Sequence, residues 1–229
     1  MPRKPCSVTA ALAGVALVTM GCHGERPRPQ PAATSVAPTG DPACVPVEGE
    51  EGYRSLFDGT RASLDTWRMA GAGRFELQAG CAMVTVGGMG LLWFPQTFED
   101  YHLRLDWAMQ ADDNSGVFIA FPDPGHDPWV AVSHGYEVQI DPSDQPERTT
   151  GAVYGVQGAD VTKRDEALEP VGEWNTYEIV TDGPRIAVYL NGVLVNDVLG
   201  GRAARGRIGL QNHGAPDRVS FRNIRISEH

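Results

Sequence analysis

Lysine is nearly absent: Lys4 and Lys163 are the only two in 229 residues. Acidic side chains outnumber basic ones, 29 to 19, for a formal net charge of −10. No basic stripe is available for a phosphate backbone, which excludes a nucleic-acid partner. The acidity itself bears on solubility and says nothing about fold. Also missing is any apolar run long enough to cross a bilayer as a helix. The six histidines are scattered, and no cluster of Cys and His has the spacing of a metal site. No run of Asp and Asn follows a calcium-loop spacing. Cysteine is scarce, limited to Cys6, Cys22, Cys44 and Cys81.

What is there begins with MPRKPCSVTAALAGVALVTMGC, residues 1–22. Arg3 and Lys4 make a short basic start, and Ser7 to Met20 is a small-residue run without charge. That layout predicts an export signal. Gly21-Cys22 resembles the processing site of a bacterial lipoprotein, where Cys22 takes the lipid. Thr19 and Met20 depart from the residues that usually precede such a site, and ordinary secretion is the alternative. The expected location is the periplasm or the outer membrane, the cell surface included, with membrane contact only through the lipid anchor. Cleavage at Cys22 would leave 17 basic and 29 acidic residues, a net of −12. Residues 23–51 are rich in Pro, Ala and Thr and read as an extended tether. From 52 to 229 apolar and polar residues alternate, enough chain for one domain with a single core. In an oxidising compartment Cys44 and Cys81 are expected to pair and pin the tether to the domain; two separate thiols are the alternative.

The pattern is that of strands. RFELQ (Arg74 to Gln78), CAMVTV (Cys81 to Val86), YHLRLDWAM (Tyr101 to Met109), GVFIAF (Gly116 to Phe121) and WNTYEIVT (Trp174 to Thr181) are short and rich in β-formers. Asn191-Gly192 sits between two apolar runs, a strong hairpin signal because both residues accept positive φ. The terminal RVSFRNIRISEH is expected to pair near YRSLF. Val219 and Phe221 keep one phase while Ile224 and Ile226 keep the other, so a bulge is predicted at Arg222-Asn223. The only candidate helical turn is Thr162 to Pro170. Many evenly spaced strands joined by turns predict an all-β, two-sheet antiparallel jelly-roll sandwich.

Two strands each offer a polar face. In GYEVQID, Tyr136, Val138 and Ile140 alternate with Glu137, Gln139 and Asp141. In IGLQNHG, Ile208 and Leu210 oppose Gly209, Gln211 and, if the strand continues, His213. Polar residues alternate along any half-exposed strand, so these faces are either wet surface or the floor of a site. A glutamate inside a β-run opposes strand propensity, which favours the site for Glu137. Asp141, before Pro142, reads as a turn residue. Phe121 to Gly135 is longer than a hairpin link, and loops of that length with Phe and Trp often cover a site.

SLFDGT followed by Trp67, then NSGVF, GYEVQID, GAVYG, GEWNTYEI, LNGVLVND, IGLQNHG and SFRNIRI occur in an order and spacing that resembles the 3-keto-disaccharide hydrolase domain family. The resemblance runs from about Tyr53 to Glu228. It implies a concanavalin A-like, laminin G-like jelly roll and cleavage of glycosides already oxidised at sugar C3. Family members often carry Arg two residues after the Phe of NSG-x-F; here that position is Ala120, so a cation that would face the sugar is missing.

On this reading Glu137 and His213 are the expected catalytic pair, as base and acid in an order left open. Gln139, Gln211, Asn114, Tyr154 and Trp129 are expected to contact substrate, and Arg104 and Asp106 lie either in the floor or on the outer sheet. His126 and His134 are alternates for the acid or base. An ordinary glycosidase holds two carboxyl groups about 5 Å or 6.5–9.5 Å apart. Glu137 and Asp141, four residues apart on one strand, would be roughly 13 Å apart and cannot be that pair. A 3-keto sugar allows another route: loss of the C2 proton, departure of the group on C1, then hydration. That route needs one base, one acid and a donor to the enolate oxygen, for which Gln139, Asn114 or a divalent cation would serve. No cofactor is required by the sequence. The expected partners are an oxidised sugar or glycoside and a sugar 3-dehydrogenase acting upstream. A non-catalytic carbohydrate-binding module is the alternative function.

Overall fold

The computed structural model describes residues 50–229. The leader at 1–22, Cys22, Cys44 and nearly all of the tether lie outside the described residues. Cys81 is disulfide-bonded.

Eleven strands and three short helices follow one another. They are β1 (Arg54–Phe57), α1 (Arg61–Leu64), β2 (Arg68–Gln78), β3 (Ala82–Trp93), β4 (Tyr101–Met109), β5 (Ser115–Phe121), α2 (Trp129–His134), β6 (Tyr136–Ile140), α3 (Val161–Ala167), β7 (Asn175–Asp182), β8 (Arg185–Leu190), β9 (Val193–Leu199), β10 (Arg207–Asn212) and β11 (Val219–Glu228). Hydrogen bonding runs β6-β5-β10-β3-β11-β4-β7-β8-β9, with β1 on β11 and β2 on β3. Every pairing is antiparallel.

The layers of this jelly roll are joined through β3. Its first half pairs with β11 at Met83 and Val84; its second half pairs with β10 from Gly90 to Trp93. Between them the β2–β3 ribbon shifts register at Gly71–Gly73. Gly71 and Gly87 have φ of 89° and 86°, a conformation that glycine adopts without strain. The ribbon bends there, and the sheet curls around a core of Leu103, Leu105, Trp107, Tyr177, Ile179 and Phe221 from one side and Val117, Ile119, Val138, Ile140 and Leu210 from the other.

Local chemistry explains the punctuation. In SLFDGT, Asp58 Oδ1 accepts from Thr60 N (2.9 Å) and Oγ1 (2.7 Å), and Thr60 caps α1 by accepting from Ser63 N (3.1 Å). Trp67 Nε1 donates to Leu56 O (2.9 Å), which locks that turn to β1. Asn191 and Gly192 have φ of 49° and 82°, as a hairpin turn between β8 and β9 requires. The expected bulge in β11 is present: the register shifts between Arg222 and Arg225, and Asn223 has φ of 52°.

Three expectations need correction. RFELQ is the end of a strand that begins at Arg68, because Ala and Gly between 70 and 73 hide its first half. Cys81 is a turn residue with φ of 64°, so β3 starts one residue later than CAMVTV suggests. Thr162–Pro170 is not the only helical turn. Besides α3 there are α1 and α2, the latter inside the long Phe121-to-Gly135 link.

Candidate active site

Apart from the main core, β2, β3, β5 and α2 form a second, smaller apolar cluster: Ala70, Leu91, Trp93, Phe118, Phe121 and Ala131. Beside it opens a pocket of about 220 Å3. Its polar lining is Asn114, Glu137, Gln139, Asp144, Gln211 and His213; its apolar lining includes Met89, Leu91, Phe118, Pro128, Trp129, Val132 and Tyr154.

Register builds the floor. Glu137 lies opposite Phe118 and Gln139 opposite Gly116 in the β5–β6 pair, while Gln211 lies opposite Leu91 in the β10–β3 pair. The Glu137 side chain leans across Gly116, where an added Cβ would collide with its Oε1. That close approach is the physical reason for glycine in NSG. Glu137 and Gln139 are 7% and 3% exposed. Glu137 Oε1, Gln139 Oε1, Gln211 Oε1 and Asn114 Oδ1 are all buried without a partner within the protein. Buried polar atoms are normally paired, so four unpaired oxygens lining one pocket suit a hydroxylated ligand. Burial alone pushes the Glu137 carboxyl up to about 8. No Arg or Lys is among the pocket's lining residues to oppose that shift.

Two carboxylates orient the rim. His213 follows the end of β10, half exposed, and its Nδ1 meets Asp217 Oδ2 at 2.7 Å. The other oxygen of Asp217 accepts from Asn114 N (3.2 Å), which ties the histidine loop to the NSG turn. Asn114 Nδ2 donates to Asp141 Oδ2 (2.8 Å), leaving Oδ1 free. Asn114 is therefore set as an acceptor for a ligand hydroxyl, and its amide nitrogen is already engaged. Asp141 itself does not line the pocket; it anchors the turn after β6, accepting from Asp144 N (3.1 Å) while Thr150 Oγ1 accepts from Asp141 N (2.9 Å).

The structure therefore brings Glu137, His213, Gln139, Gln211, Asn114, Tyr154 and Trp129 to one pocket. Arg104 and Asp106 are not in it. On β4, Leu103, Leu105 and Trp107 enter the core, so residues 104 and 106 face outward on another part of the sheet. Arg104 pairs with Glu50 and Glu178 and lies over the Tyr53 ring; Asp106 binds Thr176, Arg222 and Asn223. The alternates also move away: His134 lines a different groove, and His126 contributes its carbonyl to Gly71 N (3.1 Å). Ala120 does not face the pocket at all. Its φ of 57° marks a bulge that turns its side chain into the main core, so a cation at that position would not point at Glu137.

Sequence reasoning missed Asp217, Asp144, Phe118 and, in the apolar wall, Met89, Leu91, Pro128 and Val132. Asp217 lies beyond a turn, four residues after His213, where no strand alternation reports its direction. Asp144 is held by Arg148 (3.1 Å), also from a loop. Among the described residues no group of three or more His, Cys, Asp or Glu is placed to hold a metal ion.

Residues 52–227 match the model of the 3-keto-alpha-glucoside-1,2-lyase-like domain. A protein of Bacteroides thetaiotaomicron named 3-keto-disaccharide hydrolase is 25% identical over 237 residues, covering 80% of this chain and 80% of that one. Among solved structures, a provisionally assigned glycosyl hydrolase of Parabacteroides distasonis superposes with a TM-score of 0.65 at 20% identity, over 78% of this chain and 94% of the other. A carbohydrate-binding module of Bacillus subtilis gives a TM-score of 0.52 at 15% identity, over 72% and 96%. At these identities the two structures speak to fold alone.

Proposed function

The chain belongs to the 3-keto-alpha-glucoside-1,2-lyase-like domain family, and from that premise we propose that it cleaves 3-keto-glycosides by elimination followed by hydration. The observation that carries this reading is Glu137: a carboxyl buried without a counter-charge, held protonated near neutral pH, in the same pocket as an imidazole backed by a carboxylate.

The C3 ketone acidifies the hydrogen on C2. His213, with Nδ1 turned to Asp217, takes that proton through Nε2, and the electron pair passes to the C3 oxygen as an enolate. The Gln139 or Gln211 amide donates to this oxygen. As the carbonyl re-forms, the C1–oxygen bond breaks, a C1–C2 double bond appears, and Glu137 gives its proton to the departing oxygen. Water then adds to C1. The Glu137 carboxylate takes a proton from that water, and the half-exposed imidazolium, its proton exchanged with solvent, protonates C2. The net change is hydrolysis, with each group restored. An oxidoreductase acting at sugar C3 has to supply the substrate.

The test is turnover of 3-keto and unoxidised glycosides in D2O. Deuterium should enter C2 of the product, and Glu137→Gln and His213→Ala should each lower the rate by roughly 10^2- to 10^4-fold. Wild-type turnover in both variants, or product without deuterium at C2, would remove the assignment. A chelator arm, with Mg2+ added back, assigns the enolate oxygen to an amide or to a cation. The polar floor beneath exposed Trp129 and Tyr154 also suits a sugar that is bound and not cleaved. Binding without product release would select that second reading.

A further inference from the structure

Seven large apolar side chains stay exposed among the described residues, and four of them stand around one opening. Met89, Trp129, Val132 and Tyr154 are 39%, 55%, 37% and 37% exposed, and all four line the pocket. Exposed hydrocarbon gathered at one place marks a contact surface, whereas single apolar residues scattered over a surface need no explanation. Polarity also changes with depth. The floor is buried Glu137 and Gln139 with partly buried Gln211; the mouth is largely hydrocarbon, with His213 and Asp144 as its polar members.

The apolar wall is rigidly seated. Ala131 of α2 is fully buried among Leu91, Trp93, Phe118 and Phe121. Gly71 N donates to His126 O (3.1 Å), and Pro128 Cγ lies 3.2 Å from the place a Cβ on Gly71 would take. Gly135 packs its backbone against Ile119 O and Phe121, where a side chain would not fit. Both ends of the α2 segment are thus pinned to the sheet, and Trp129 and Val132 are held over the floor.

We propose that this wall is a subsite for an apolar leaving group, so that the substrates are glycosides of alkyl or aromatic alcohols in preference to disaccharides. The inference rests on the proposed reading of the floor as the seat of the oxidised ring. A second sugar would bring hydroxyls around its whole edge, and Met89, Pro128 and Val132 offer them no hydrogen bond. An alkyl chain or aromatic ring instead removes its own surface and that of the wall from water together. Trp129 adds a flat face for an aromatic group.

Turnover of 3-keto-glycosides bearing methyl, hexyl and benzyl groups, measured beside a 3-keto-disaccharide, tests this. The three alcohols differ in apolar surface and hardly in acidity, so leaving-group chemistry does not confuse the comparison. We expect kcat/KM to rise roughly ten- to two-hundredfold from methyl to hexyl or benzyl. That ratio should collapse towards one in the Met89→Ser/Val132→Ser double variant. Calorimetry of unoxidised hexyl and methyl glycosides with Glu137→Gln protein gives a readout independent of turnover, and the hexyl compound should bind tighter by a similar factor. Equal rates for methyl and hexyl, or a disaccharide preferred to both, would overturn the subsite while leaving the reaction standing. Failure of every 3-keto-glycoside to turn over would overturn the reaction, and the calorimetric ratio would then decide the subsite alone.

Discussion

The outer face of β4 and the floor of β5, β6 and β10 obey one pattern and hold opposite kinds of chemistry. Along both, apolar residues enter the core and polar residues face away. On β4 the polar groups are satisfied: Asp106 accepts from Thr176 Oγ1 (2.9 Å), Asn223 Nδ2 (2.7 Å) and Arg222 Nε (3.2 Å), and Arg104 is shared by Glu50 and Glu178. On the floor, Glu137, Gln139 and Gln211 each keep a buried oxygen without a partner. Alternation therefore marks a half-buried strand, and it is the pairing of the polar atoms that separates a finished surface from a site waiting for a ligand.

The largest effect expected from this contrast is on stability against pH. The Glu137 carboxyl titrates near 8 in the folded chain, against an ordinary value of 4.5. Between those values the folded chain keeps a proton that the unfolded chain has released. Stability from this group is full below pH 4.5 and falls as pH rises towards 8. At 1.36 kcal/mol per pH unit the loss from pH 5 to pH 9 is about 4 kcal/mol. Glu137→Gln removes the titration, so its stability should gain about that much on wild type over the same range. Denaturant midpoints at both pH values measure it. A constant difference between the two proteins would mean that Glu137 ionises freely, and the floor would then be no different from β4.

A smaller effect is expected at Asp217, which acts through His213. Neutralising the aspartate of a buried triad costs roughly 10^4 in kcat. His213 is half exposed and less constrained, so Asp217→Asn should cost on the order of ten- to a hundredfold. The loss should fall on kcat with KM little changed. The 15N shifts of His213 should also move from the Nδ1–H tautomer to a mixture. Loss of KM and melting temperature with an unchanged tautomer would make Asp217 a loop brace and nothing more.

How much of this was legible beforehand follows from what each residue depends on. Strand alternation is local, so Glu137, Gln139 and Gln211 could be placed on polar faces from the sequence, and Asn191-Gly192 and the Arg222-Asn223 bulge could be located; His213 was placed only on the condition that its strand ran on, and β10 ends at Asn212. The same rule pointed Arg104 and Asp106 outward without saying towards what, because their partners at Glu50, Glu178 and Arg222 come from distant segments. Helix α2 left only a weak local signal, Asp127-Pro128 at its start, where Asp127 Oδ1 accepts from Trp129 N (3.0 Å). Its sequence WVAVSH holds two valines, Pro128 supplies no side-chain cap, and the packing of Ala131 on the sheet adds what that signal lacks. The family pattern suggested that a cation at Ala120 would face the sugar, and it could not report that φ of 57° there turns the side chain into the core.

The smallest effect, and the sharpest control, belongs to Arg104. Its side chain is 29% exposed, and its carboxylate partners Glu50 and Glu178 are 36% and 21% exposed. Solvent screens such pairs, which are typically worth about 0.2–1 kcal/mol. Removing the arginine leaves neither partner stranded: Glu50 keeps Arg225 Nε at 2.9 Å, and Glu178 keeps His102 Nδ1 at 3.0 Å. Arg104→Ala should therefore lower stability by less than about 1 kcal/mol, and the loss should shrink further in molar salt, where screening extends over only about 3 Å. Turnover of a 3-keto-glycoside should stay within twofold of wild type, because no residue of this cluster lines the pocket. A tenfold loss of turnover in Arg104→Ala at unchanged stability would show that the two faces are coupled, and the distinction drawn from their hydrogen bonding would fail.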